Sequence, residues 1–162
     1  VSLSRDGSQI LVCETFAARI LAIPISTGGV YGAPVAWSED PLPGYCDGIN
    51  HSNSGRHVLV SAPSPPPGIA LALKSLPSWM SYVLRCFLVA LPASLSPKPV
   101  KAGIVVVMDA RNGKNVDVIA DPKGDTINMV SSVTEDVKES GRLLLGTLTG
   151  DFVGAMMSDY KL

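Results

Sequence analysis

Three stretches of this chain repeat one plan: a short strand, a polar turn closing on glycine, and a second strand rich in aliphatic residues. They read VSLSRDGSQILVCET (1–15), CDGINHSNSGRHVLVSAP (46–63) and MVSSVTEDVKESGRLLLGTLTG (129–150). The turns close at Asp6-Gly7, Ser54-Gly55 and Ser140-Gly141. A strand–turn–strand unit recurring at wide spacing predicts an all-β protein built of β-propeller blades. In such a fold the first strand of each blade lines the central axis, so its polar residues are the first candidates for a site.

The first blade reads as four strands: VSLS, QILVCET, ARILAIPIS and GAPVAWSE, with Gly28-Gly29 and Pro41 to Gly44 as punctuation. Glu14 and Arg19 flank the turn between the second and third strands, where an ion pair is expected. The second blade opens at Asp47-Gly48-Ile49, continues through HVLVSAP and breaks at a proline run, Ser64 to Pro67. It resumes as AGIVVVMDARNGKNVDVIADP, with Asn112-Gly113 as a two-residue turn signal. The third runs from NMVSSVTE through RLLLGTLTG to FVGAMMSDY and stops at three strands. Blades are expected at about 1–40, 41–122 and 123–162. The chain starts directly in a strand without Met, and the missing fourth strand of the last blade suits a ring closed from elsewhere. It therefore reads as part of a longer propeller whose open strand edges invite self-association.

Between the halves of the second blade, about 69–95, lies a helical insertion in which Trp79, Val83, Cys86 and Phe87 recur at helical spacing. Spanning a bilayer takes about 20 apolar residues, and here Pro77 and Pro92 bracket a shorter stretch with Arg85 at its middle. An amphipathic helix lying over one face of the propeller is the expected structure. Peripheral membrane contact through it stays open as an alternative.

Composition excludes several classes. Net charge of -1 with 17% charged residues argues against a nucleic-acid partner, which takes a basic stripe. Three cysteines, Cys13, Cys46 and Cys86, lack CxxC spacing, so zinc is not indicated; they read as buried thiols with room for one disulfide. No GxSxG elbow or Ser–His–Asp order supports a serine hydrolase.

The run VSLSRDGSQILVCETFAARIL resembles the NGVxLSxDxxxLLVAETxxxRI signature of strictosidine synthase-like proteins. LPGYCDGI is similar to their LPGxPDNI, and SVTE…GRLLLGTL to their SxVxExxGxLYxGS. The insertion with Pro77 and Trp79 resembles that of the adipocyte plasma membrane-associated protein branch. The resemblance implies the C-terminal half of a six-bladed β-propeller, distantly related to paraoxonases and gluconolactonases, with a membrane-associated or secretory setting.

Two chemistries follow from that resemblance, both on a small-molecule substrate. One is calcium-assisted hydrolysis of esters or lactones; the other is condensation of an amine with an aldehyde by a glutamate base. Asp47 matches the metal-coordinating aspartate of the hydrolytic relatives, and Gly48 stands where much of the family has Asn. The synthase's glutamate falls on Ser131 or Ser132, neither of which is a base, while Glu135 matches a different family glutamate. His51, with the parity of Asp47, and Ser131 are the expected substrate-binding positions. A lone histidine that satisfies a local hydrogen bond is the simpler reading of His51. Other metal ligands of the family fall before Val1, so this chain alone is not expected to hold calcium tightly. A non-catalytic binding propeller is the remaining alternative.

Overall fold

The structure is a computed structural model that describes residues 1–66, 68, 72–73, 75–92, 100–149 and 153–157. Eleven strands form three antiparallel sheets among these residues. The first sheet holds β1 (Ser2–Leu3), β2 (Gln9–Glu14), β3 (Arg19–Pro24) and β4 (Val35–Ala36) in chain order. The second holds β5 (Ile49–His51), β6 (His57–Ala62), β7 (Gly103–Asp109) and β8 (Asn115–Asp121), again in order. The third holds β9 (Val130–Glu135), β10 (Arg142–Thr147) and β11 (Val153–Met157). One helix of length, α1 (Ser78–Ala90), interrupts the second sheet between β6 and β7.

The middle sheet is buried on both faces, which explains why its strands read as continuous apolar runs instead of alternating. Val58, Val60, Ala62, Ile104, Val106 and Met108 pack toward Leu11, Ile20 and Ala22 of the first sheet. The intervening residues Leu59, Val105 and Val107 pack toward Val130, Val133, Leu143 and Leu145 of the third. The outer strand β8 has one neighbouring strand only and loses this pattern, alternating half-buried and exposed residues along its length.

The turns follow from their glycines. Gly7, Gly55 and Gly141 all have positive φ (69, 67 and 82°), a region that an L-residue enters at a cost. Side-chain acceptors then satisfy the turn amides. The Asp6 carboxylate takes hydrogen bonds from Ser4 and Ser8 and is held down to about 2 by them. Asp109 is likewise held down to about 2, chiefly by the Arg111 guanidinium that chelates it. Asp121, which joins the second sheet to the third, accepts from the N–H groups of Ile127, Thr126 and Gly124, and these keep its carboxyl low.

Three expectations need correction. The outer strand of the first sheet pairs over Val35–Ala36 only, because β3 ends at Pro24, which has no N–H to continue a ladder. A bridge between Ile25 and Tyr31 closes that corner instead. The helix forms over Ser78–Ala90, yet its stripe does not face protein: Trp79 is 70%, Val83 60% and Phe87 61% exposed, and Cys86 is exposed too. Ser81 is the helix residue that is buried, on the side facing Leu73 and Leu76. The outer parts of the expected insertion, 69–71, 74 and 93–95, lie outside the described residues. The third is His57: its place directly after Gly55-Arg56 suggests a solvated turn residue, but it opens β6 and is half-buried.

Candidate functional site

The connection entering β5 places Asp47 at the start of an inner strand. Its N–H donates to the Ser61 carbonyl at 2.9 Å, extending the β5–β6 ladder beyond the named strand. The Asp47 side chain is exposed, and among the described residues its carboxylate takes part in no hydrogen bond or ion pair. Gly48 follows under tight constraint. Its N–H donates to Ser61 Oγ at 2.9 Å, and its carbonyl accepts from the Ser61 N–H at 2.9 Å. A Cβ added at Gly48 would lie 2.6 Å from the Ser131 carbonyl oxygen and 2.8 Å from Ser61 Oγ. A side chain there would push β9 away from β5. Glycine in place of asparagine is thus a packing requirement of the seam between the second and third sheets.

The same contact brings Ser131 beside Asp47's neighbour. Ser131 is half-buried in β9, and its hydroxyl donates to the Gly146 carbonyl over a long 3.5 Å. His51 sits at the opposite end of β5. Four residues along a strand span about 13 Å, so His51 and Asp47 do not meet on one reacting atom. The His51 ring is spent locally: Nε2–H donates to the Leu3 carbonyl at 2.8 Å and ties β5 to β1. With the proton on Nε2, Nδ1 is a buried acceptor without a partner among the described residues.

Glu135 is the side chain whose role the sequence did not reveal. It is 3% exposed at the end of β9. Oε2 accepts from the Asn53 N–H at 2.7 Å; Oε1 accepts from the Gly141 N–H at 3.0 Å and the Ser140 hydroxyl at 3.3 Å. Asn53 returns a bond from its side-chain amide to the Asp136 carbonyl at 2.8 Å. The carboxylate thereby clasps the β9–β10 turn to the β5–β6 turn. An acid placed six residues before Gly141 was the available signal, but Asn53, its partner in the other turn, is far away in sequence.

The remaining acids near the inner strands are engaged. Glu14 pairs with Arg19 at 2.5 Å, as expected; both are about half exposed, so the pair contributes little to stability. A cavity of about 380 Å³ between the second and third sheets is lined by apolar residues such as Val105, Ile119, Val130 and Leu145. Among the described residues that line it the acid is Asp121, already committed to its turn. Among the described residues no three His, Cys, Asp or Glu side chains come together as a metal site.

Antiparallel sheets that start with their inner strand, and that pack face to face in chain order, define the chain as part of a β-propeller. No family model matches the sequence. It is similar to a strictosidine synthase-like protein: over 161 residues it is 29% identical to the Arabidopsis thaliana protein strictosidine synthase-like 10. The match takes in 95% of this chain and 39% of that relative's length.

Proposed function

We propose that these blades serve a hydrolase of esters or lactones assisted by a divalent cation, calcium, with Asp47 as one of its oxygen ligands. The observation that carries the reading is the Asp47 carboxylate itself. It stands at the entry of an inner strand without a hydrogen bond or ion pair among the described residues, whereas Glu14, Asp109, Asp121 and Glu135 are all engaged. Bound calcium would polarise the ester carbonyl and assist a water nucleophile. A hard cation takes six to eight oxygens. The fit of the described residues is therefore partial: Asp47 contributes, and further donors must join it from outside them.

In this reading Ser131, across the seam, would turn its hydroxyl from the Gly146 carbonyl to substrate, and His51, bonded to the Leu3 carbonyl, keeps the inner strand aligned. Condensation of an amine with an aldehyde is the weaker reading. Ser131 and Ser132 supply no carboxylate base, and the nearby Glu135 is buried and fully occupied. The test is hydrolysis of aryl esters and lactones by the intact protein with and without chelator. Asp47→Asn should lower the calcium-dependent rate by at least about tenfold. Turnover that ignores both chelator and this substitution would remove the metal reading.

A second reading concerns α1. Trp79, Tyr82, Val83, Phe87 and Val89 are all exposed on it, and Arg85 is its one charged residue. The sequence from Gly48 to Met108 contains no acidic residue, while Arg56, Lys74, Arg85, Lys98 and Lys101 lie within it. No helix among the described residues is long and apolar enough to cross a membrane. Exposed aromatic residues on a helix whose flanking sequence carries only basic charges fit peripheral docking on an anionic lipid surface.

A further inference from the structure

Two thiols meet at the seam between the first and second sheets, and neither has a part in the hydrolytic reading. Cys13 lies in β2 with the parity of Leu11, which faces the second sheet, and it packs against the same apolar cluster that contains Cys46. Cys46 is fully buried one residue before Asp47, and its Sγ donates to the Arg19 carbonyl at 3.4 Å. Arg19 opens β3 beside Ile20, the register partner of Cys13, so the Cys46 sulfur reaches the end of the β2–β3 pair where Cys13 stands. Hydrogen bonding to Cys46, with burial adding to it, pushes the Cys13 thiol up; the same bond brings Cys46 down. Cys13 is partly exposed, whereas the third cysteine, Cys86, is exposed on α1.

We propose that Cys13 and Cys46 form a disulfide when a small-molecule disulfide is present as oxidant, a covalent staple joining the first and second sheets immediately before Asp47. Cys13 is the sulfur an external disulfide can reach. Cys13 gives up its proton, its thiolate attacks the external disulfide, and the displaced thiolate takes up that proton to leave as one free thiol. The second protein sulfur, losing its proton, attacks the mixed disulfide and expels the other thiol. Two S–H bonds are lost and one S–S bond forms in the protein, while the external disulfide is reduced to two thiols.

The test uses the whole chain carrying Cys86→Ser, which removes the exposed thiol without touching the seam. The folded protein is treated with oxidised glutathione, then denatured for thiol counting and mapped as non-reduced peptides. The expected result is loss of both remaining thiols, a mass decrease of about 2 Da, and one linked pair joining the peptides of Cys13 and Cys46. The staple should also raise the midpoint of thermal unfolding by on the order of 10 °C relative to the reduced protein. A stable glutathione adduct on Cys13 without the cross-link, two unreacted thiols, or a link that forms only in denaturant would each overturn the proposal.

Discussion

Replacing Glu135 by alanine removes a 3%-exposed carboxylate that receives hydrogen bonds from the backbone of Asn53 and Gly141 and from the Ser140 hydroxyl. The Ser140 bond is the longest, and that residue is exposed, so water replaces it at little cost. The two amides matter more. Hydrogen bonds to a charged group contribute about 1.5–3 kcal/mol each, so the pair is worth about 3–6 kcal/mol. Removing the carboxylate also relieves its own desolvation, which returns roughly 1–2 kcal/mol. The net expectation is a loss of about 2–4 kcal/mol for Glu135→Ala. Ser140→Ala, as the control, should stay within about 0.5 kcal/mol of the unaltered protein.

Urea unfolding reads this directly: the midpoint should fall by roughly 1–2 M with an unchanged slope. The reasoning fails if Glu135→Ala is no worse than the Ser140 control. It fails differently if hydrolytic activity disappears while stability is retained, since Glu135 would then belong to the chemistry and not to the clasp.

Gly48→Asn, which introduces the amide side chain that the LPGxPDNI resemblance has at this position, should destabilise by about 1–3 kcal/mol because backbone and side-chain oxygens of Ser131 and Ser61 occupy the space of its Cβ. Thermal unfolding should show a drop on the order of 5 °C, and a variant as stable as the parent would disprove the close packing of β5 on β9. For α1, sedimentation with vesicles containing phosphatidylserine should retain the protein, while neutral phosphatidylcholine vesicles should not. Trp79→Ser with Phe87→Ser should release it, and equal retention of this double variant would mean that another surface makes the contact.

What the sequence made legible is local. The glycine turns at Gly7, Gly55 and Gly141 adopt the positive φ that their hairpins require, and the Glu14–Arg19 pair closes as its spacing suggested. The unbroken runs Val58–Ala62 and Ile104–Met108 already mark a sheet buried on both faces. What escaped is set by partners distant in the chain. Asn53 meets Glu135, Gly48 meets Ser131 and Cys46 meets the β2–β3 end only after the sheets have packed, and none of these pairs has a periodic signature. Parity placed His51 on the face of Asp47 but could not show that Leu3 would claim its ring. Helical spacing identified α1, but periodicity is silent on whether a stripe finds a protein surface to cover.

These long-range contacts share one consequence for the candidate site. The strand β5 is only three residues long, and its ladder alone fixes it weakly. At its entry Gly48 is wedged between Ser61 and Ser131; at its exit His51 bonds to β1, and Asn53 just beyond bonds to Glu135 of β9. The inner strand is therefore held from the first and third sheets at once, by backbone-directed contacts that leave no polar atom of Asp47's carboxylate engaged. A backbone held in this way suits the proposed role of Asp47 as one ligand among several, because ordering a ligand in advance removes that cost from the binding step. The Cys46 staple acts on the adjoining residue, so oxidation and the Gly48 wedge bear on the same short segment from opposite sides. If the segment is fixed in this way, amide exchange at Asp47, whose N–H is bonded to Ser61, should be as slow as in β6 rather than in the surrounding loop.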